Sequence, residues 1–227
     1  MGSSVSTPVR DRKRGKALTG SSRREPAGIG FRVRTGNATA VMLGGPGASP
    51  RFLARLYIPL VDMDDDEARQ PYHVVAEQDE ERGMRLVRKS LKTATANAIR
   101  ATRGLMDGAR NSDYKVRAAV LVVGSDTNPA SIRQPHVRAH ALEGRLYREA
   151  VEEAVSQCGL PSRVLIERDA LGAPEKALGR PRPELKAAFS TFAKVAGRPW
   201  RSEEKAAAVA AWVALDLRLT GGGSGPP

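Results

Sequence analysis

Cysteine occurs once, at Cys158, which excludes a disulfide framework and any cysteine-based zinc site. Aromatic residues make up only 4% of the chain, too few for the rows of stacking platforms that grip single-stranded nucleic acid. Long apolar runs are missing as well. The longest, 118–123 and 206–215, fall far short of the ~20 residues that a membrane-spanning helix needs. The start shows no charged-then-apolar signal pattern, so a cytoplasmic location without membrane attachment is the expectation. Gly44-Gly45-Pro46-Gly47 is not followed by Lys-Ser/Thr and is no phosphate-binding loop. No His-Glu-x-x-His motif is present, and neither Ser125 nor Cys158 has a general base beside it in sequence. The acidic stretch 62–67 lacks the Gly and terminal Glu spacing of a calcium-binding loop.

What is present is a chain of 227 residues, 41% hydrophobic, enough to bury the core of one domain. Lys and Arg number 37 against 25 Asp and Glu, and the resulting net charge of +12 favours a polyanionic partner. Residues 1–27 carry seven of the positive charges, at Arg10, Arg12, Lys13, Arg14, Lys16, Arg23 and Arg24, with no apolar period; they read as a disordered basic tail. Residues 220–227 (TGGGSGPP) read as a flexible Gly/Pro end, leaving 28–219 as a single domain.

Within that domain, 29–33, 38–43 and 51–61 have strand character, the first two being either separate strands or one long strand broken near Gly36. Residues 72–76 suggest a further short strand. A helix over 83–106 follows, with Met84, Val87, Leu91, Ala94, Ala98 and Leu105 near one face. The nearly continuous apolar run 116–123 (VRAAVLVV) predicts a strand covered on both faces. A helix over 136–157, a buried strand over 163–166, and helices over 183–196 and 202–217 complete the pattern. A meander followed by β-α units implies an α/β fold, a mixed sheet flanked by helices.

Several pieces of the second half resemble an RNase H-like domain, in particular the RuvC-like branch with its YqgF-type Holliday-junction resolvases. These are the strand end Val122-Val123-Gly124-Ser125, the helix after it, the turn Gly159-Leu160-Pro161, the segment Val164-Leu165-Ile166-Glu167-Arg168-Asp169, and the helix start Glu203-Glu204-Lys205-Ala206-Ala207-Ala208. The likeness covers roughly 28–217. The chain also resembles bacterial proteins sharing a GFR opening, RAHALEGRL and RPWR, a likeness that implies no function.

Active members of that family hold two divalent ions, Mg²⁺ or Mn²⁺, on carboxylates from the first strand, a central strand and the last helix, and hydrolyse phosphodiesters. The resemblance puts Glu167 and Glu204 at two of those positions, as catalytic and metal-binding residues, with Asp169 and Glu203 as near substitutes. The family's first strand reads apolar-Asp-x-Gly, whereas this chain reads Val33-Arg34-Thr35-Gly36. A guanidinium cannot ligate Mg²⁺ and would repel it. Either another acid substitutes or metal-dependent cleavage is lost. Arg34 could then contact a phosphate, or pair with Glu167 or Glu204.

Two other groups stand out. Arg85, Arg88, Lys89 and Lys92 form a basic ridge at helical spacing, a candidate contact for DNA or RNA; the stripe Arg138, Arg145, Arg148 is interleaved with Glu149, Glu152 and Glu153 and reads equally as a salt-bridged face. His136 and His140, four apart on one helix face with Glu143 three further on, could hold a transition metal, with His73 as a distant third ligand, or could simply lie on a polar face. The sequence therefore favours a nucleic-acid-associated protein with an altered, inactive nuclease-like site. A non-enzymatic interaction or scaffold protein docking through its basic tail, and a His-ligated metal enzyme, are the alternatives. Homo-oligomerisation is left open.

Overall fold

The computed structural model describes residues 24–77 and 79–217. The basic run of the tail and the Gly/Pro end lie outside the described residues, except that Arg24 precedes a strand beginning at Glu25, three residues before the expected domain start. Strands β1 (Glu25–Arg34), β2 (Asn37–Gly44) and β3 (Arg51–Pro59) form an antiparallel meander, so Gly36 separates two strands rather than kinking one. Gly36 has φ +81°, which suits the two-residue turn between β1 and β2. Strands β4 (Tyr114–Val123) and β5 (Ser162–Ile166) add on the other side of β1, parallel to it, giving the order β3-β2-β1-β4-β5. This mixed sheet with helices on both faces is the RNase H-like arrangement that the resemblance implied.

Between β3 and β4 lie α1 (Asp66–Arg69), α2 (Pro71–Glu77) and α3 (Glu80–Asn111). The 72–76 segment is therefore helix, not strand. Its β-branched residues suggested extension, but Pro71 opens a helical turn in which Val74 is buried, Tyr72 and Val75 pack against the core, and Val75 lies against Gly83 of α3 instead of a strand neighbour. Asp79 caps α3 by accepting the Arg82 backbone N–H at 2.8 Å, and Val87, Ala94, Ala98, Leu105 and Ala109 form its buried stripe. After β4, α4 (Pro135–Gln157) packs beside α3 on the same face of the sheet. A π-turn at Arg168–Gly172, then α5 (Pro174–Leu178), α6 (Arg182–Ala196) and α7 (Ser202–Asp216), cover the opposite face.

The β4 run is buried on both sides. Ala118, Val120 and Val122 face the α7 layer while Ala119, Leu121 and Val123 face the α3/α4 layer. β5, expected to be buried, is a half-exposed edge strand, because β4 is its single neighbour. α7 is buried from Ala206 to Ala214, so it is apolar all round rather than amphipathic. Its alanines let it lie almost on the backbone of β1. A Cβ built on Gly30 would clash with the Ala207 carbonyl oxygen, and one on Gly28 would lie 2.7 Å from the Ala211 carbonyl oxygen. Gly28, Gly30, Arg32 and Arg34 alternate onto that face of β1. Since α7 runs antiparallel to β1, its N-terminus sits over the β1 end that carries the two arginines.

Candidate functional site

The three parallel strands stop together, at Arg34, Val123 and Ile166, and here the α7 N-terminus joins them. Arg32 is 5% exposed. Its guanidinium donates to the Val33 carbonyl at 2.7 Å and to the Val122 carbonyl at 3.4 Å, and pairs with Glu167 at 2.6 Å. Arg34, half-exposed, pairs with Glu203 at 2.9 Å. Glu203 lies in the first turn of α7. Its own backbone N–H, then the Ser202 hydroxyl, then Arg34 and Arg32 hold its carboxyl below the usual range.

Glu204, expected to be a metal ligand, is buried and reaches back to accept the Arg201 backbone N–H at 2.7 Å, tying down the helix start. Asp169 is exposed and faces Arg168 at 3.7 Å. The structure thus brings Glu167 and Glu203 to the sheet end, each against an arginine, while Glu204 bonds the backbone at the start of α7 and Asp169 stands exposed beside Arg168. Among the described residues, no group of three ligand-type side chains forms here. Arg34 pairs with Glu203 rather than with Glu167 or Glu204. The residue missed from sequence is Arg32. Its signal was the Gly28-x-Gly30-x-Arg32 alternation, two glycines and an arginine in one row facing a helix.

The basic ridge is partly neutralised. Arg85 pairs with Glu81 in the first turn of α3, and the neighbouring Arg82 with Glu67 of α1. Arg88, Lys89 and Lys92 are exposed on the outer side of α3 and form no ion pair among the described residues. On α4, Arg145 pairs with Glu149, and Arg148 with Glu152 and Asp126, so that stripe is a salt-bridged face. The acidic loop serves local structure: Asp65 caps α1, and Asp62 accepts the Asp64 N–H.

The histidines converge across two helices. His73 on α2 meets His136 and His140 on the first turns of α4, with ring centroids 4.5–4.8 Å apart. One ligand nitrogen from each lies within 4.8 Å of the others, and the Nε2 atoms of His136 and His140 are 3.2 Å apart. Behind them Glu143 is fully buried. Its Oε1 bonds His73 Nδ1 at 2.7 Å, and Oε2 is 3.6 Å from His140 Nδ1. Burial pushes the Glu143 carboxyl up, and the His73 bond opposes the shift. His73 is therefore not distant, and Glu143 is the second feature that sequence reading underused: an acid in line with Ala139, Leu146, Tyr147 and Ala150 on the buried face of α4.

No protein-family model and no curated protein sequence matches the chain. Among solved structures, Thermus thermophilus RuvC in complex with a Holliday junction substrate is similar with a TM-score of 0.49 and 11% identity, over 82% of this chain and 91% of that one. A second Thermus thermophilus RuvC structure is similar with a TM-score of 0.45 and 12% identity, over 82% and 92% of the respective chains. No helix among the described residues is long and apolar enough to cross a membrane.

Proposed function

We propose that this protein binds nucleic acid on an RNase H-like fold whose two-metal cleavage centre has been replaced by an arginine–carboxylate network. The observation that carries the reading is the pairing of Glu167 with buried Arg32, and of Glu203 with Arg34, at the sheet end where the family resemblance calls for converging carboxylates. A guanidinium is a permanent cation. With Arg32 2.6 Å from Glu167, a divalent ion at that carboxylate would meet a fixed positive charge in the space it must fill. The donor set therefore does not fit Mg²⁺ or Mn²⁺, and no hydrolytic step follows from it. What the network can do is hold Arg34, half-exposed, as a donor toward a phosphate oxygen, competing with Glu203. Arg88, Lys89 and Lys92 supply uncompensated charge along α3 for a phosphate backbone, and the net charge of +12 favours the encounter.

The test is a gel-shift and cleavage series with the full chain on linear and branched DNA and RNA, with and without Mn²⁺. Binding without cleavage is expected. Replacing Arg88, Lys89 and Lys92 together by Ala should weaken binding and flatten the salt dependence by up to about 3 in log–log slope, one for each phosphate no longer neutralised. Cleavage that needs metal and vanishes in Glu167→Ala would overturn the inactive reading. Binding unchanged in the triple variant would move the nucleic-acid contact off the fold, and no binding at all would favour an interaction protein that keeps the fold without the nucleic acid.

A further inference from the structure

We infer that His73, His136 and His140 form a site for one Zn²⁺ ion, with Glu143 as the buried carboxylate that orients the ligands. This does not rest on the nucleic-acid reading, since none of the four residues belongs to the arginine–carboxylate network.

Geometry comes first. A tetrahedral zinc with Zn–N bonds of about 2.0–2.1 Å holds its ligand nitrogens about 3.4 Å apart. The His136 and His140 Nε2 atoms already stand at 3.2 Å, both on α4 and one helical turn apart. His73 arrives from α2 with its Nδ1 committed to Glu143, leaving Nε2 as its ligand atom. That Nε2 is buried and has no hydrogen-bond partner. Three ligand nitrogens within 4.8 Å need a contraction of little more than 1 Å, within reach of a χ rotation of exposed His136 or His140.

The chemistry agrees. Two Nε2 atoms in contact need one proton between them, whereas a shared cation uses both lone pairs. Glu143 is a carboxylate with no exposure, and its Oε2 has no hydrogen-bond partner. Burying such a charge is costly without nearby positive charge. Its ion-pair partners are two imidazoles, which are neutral when they bind metal, so the compensating charge is then the ion itself. A carboxylate accepting Nδ1–H from a metal-bound histidine fixes the tautomer that presents Nε2 to the metal. Three imidazoles select a borderline transition ion over Mg²⁺ or Ca²⁺, and the exposure of His136 and His140 puts such an ion on the solvent side of the cluster.

The experiment uses the untagged full chain, whose only other candidate thiolate or imidazole ligand is Cys158. Zinc is added, excess removed, and the metal content and the affinity against a competing chelator are measured. Co²⁺ is substituted in parallel, and its visible absorption reports coordination geometry. One zinc per chain is expected, with a tetrahedral Co²⁺ spectrum. His136→Ala and His140→Ala, both at exposed positions, should each weaken zinc binding at least about 10-fold while circular dichroism stays native; Glu143→Gln should weaken it about 10–100-fold. Wild-type zinc affinity no greater than that of the His136→Ala/His140→Ala double variant would overturn the site. Zinc binding unchanged in Glu143→Gln would overturn the role given to that carboxylate.

Discussion

On the α7 side of the sheet, Glu167 and Glu203 each face a guanidinium, at 2.6 and 2.9 Å. On the α4 side, Glu143 faces two imidazoles, at 2.7 and 3.6 Å. Both clusters lie toward the end of the fold where β1 and β3 stop, since Gly36 in the β1–β2 turn lies against Arg69, two residues before α2. The carboxyl groups respond in opposite directions: Glu203 is held down by the helix start, and Glu143 is pushed up by burial. A guanidinium cannot give up its charge, so each carboxylate of the first cluster faces a permanent cation. An imidazole can be neutral, so the second keeps lone pairs and a carboxylate whose compensation must come from a proton or a metal. On the two proposals, similar numbers of ionisable groups serve opposite ends on one fold, and the identity of the cationic partner is what distinguishes them.

The hardest blow to the α7 side would come through the backbone. Gly30→Ala places a methyl inside contact distance of the Ala207 carbonyl oxygen and the Ala211 nitrogen, backbone atoms of α7 that cannot step aside. Its cost should be about 3 kcal/mol or more, a drop in Tm of roughly 6–12 °C. A thermal melt within a degree or two of wild type would mean that α7 can slide, and that the arginine end is not rigidly built. Next comes Arg32→Ala, which strands Glu167 and two backbone carbonyls; about 2 kcal/mol is expected, with zinc stoichiometry unchanged if the two clusters are independent. Loss of zinc binding in that variant would join the clusters into one site.

A smaller effect tests the α4 side. The Tyr147 hydroxyl proton is shared between the Arg69 and Ala68 carbonyls, 2.8 and 3.0 Å away, tying α1 to α4, so Tyr147→Phe should cost about 1 kcal/mol by denaturant titration. The smallest effect belongs to the solvent-facing pair. Arg34→Ala should change stability by less than about 1 kcal/mol, well below Arg32→Ala. Glu203→Gln should act through pH. Because the folded-state carboxyl sits below its unfolded value, its contribution is present above about pH 4.3 and is lost as pH falls through the lower folded value. The Tm gap between wild type and Glu203→Gln should therefore be widest near neutral pH and close in acid; a gap that widens in acid would reverse the sign assigned to Glu203.

The order of strands and helices was legible in local patterns: the two-sided apolar run of β4, the seven- and four-residue spacings on α3, the acidic start of α7. The segment 72–76 misled because Val74 and Val75 favour extension locally, whereas contacts with α3 and the core decide for helix. Glu167 could be placed at the sheet end from its position after β5. Its partner could not, since Arg32 and Arg34 share a β1 face and only packing against α7 shows which is buried. Glu204 was singled out by the resemblance of the Glu203-Glu204-Lys205-Ala206 helix start, whereas its bond to the Arg201 N–H depends on the path of the chain entering α7.

By itself the sequence determined the fold class, the single cysteine, the sign of the overall charge, and the placing of His136 and His140 on one helix face. These follow from composition and from periods of two and 3.6 residues, which are local. Tertiary structure alone decided that Arg32 neutralises Glu167 and that His73 joins the other two histidines over Glu143. Those contacts span separations of 135 and 70 residues. Only the burial of whole sheet and helix faces brings such partners together, and side-chain charge settles what they do once they meet.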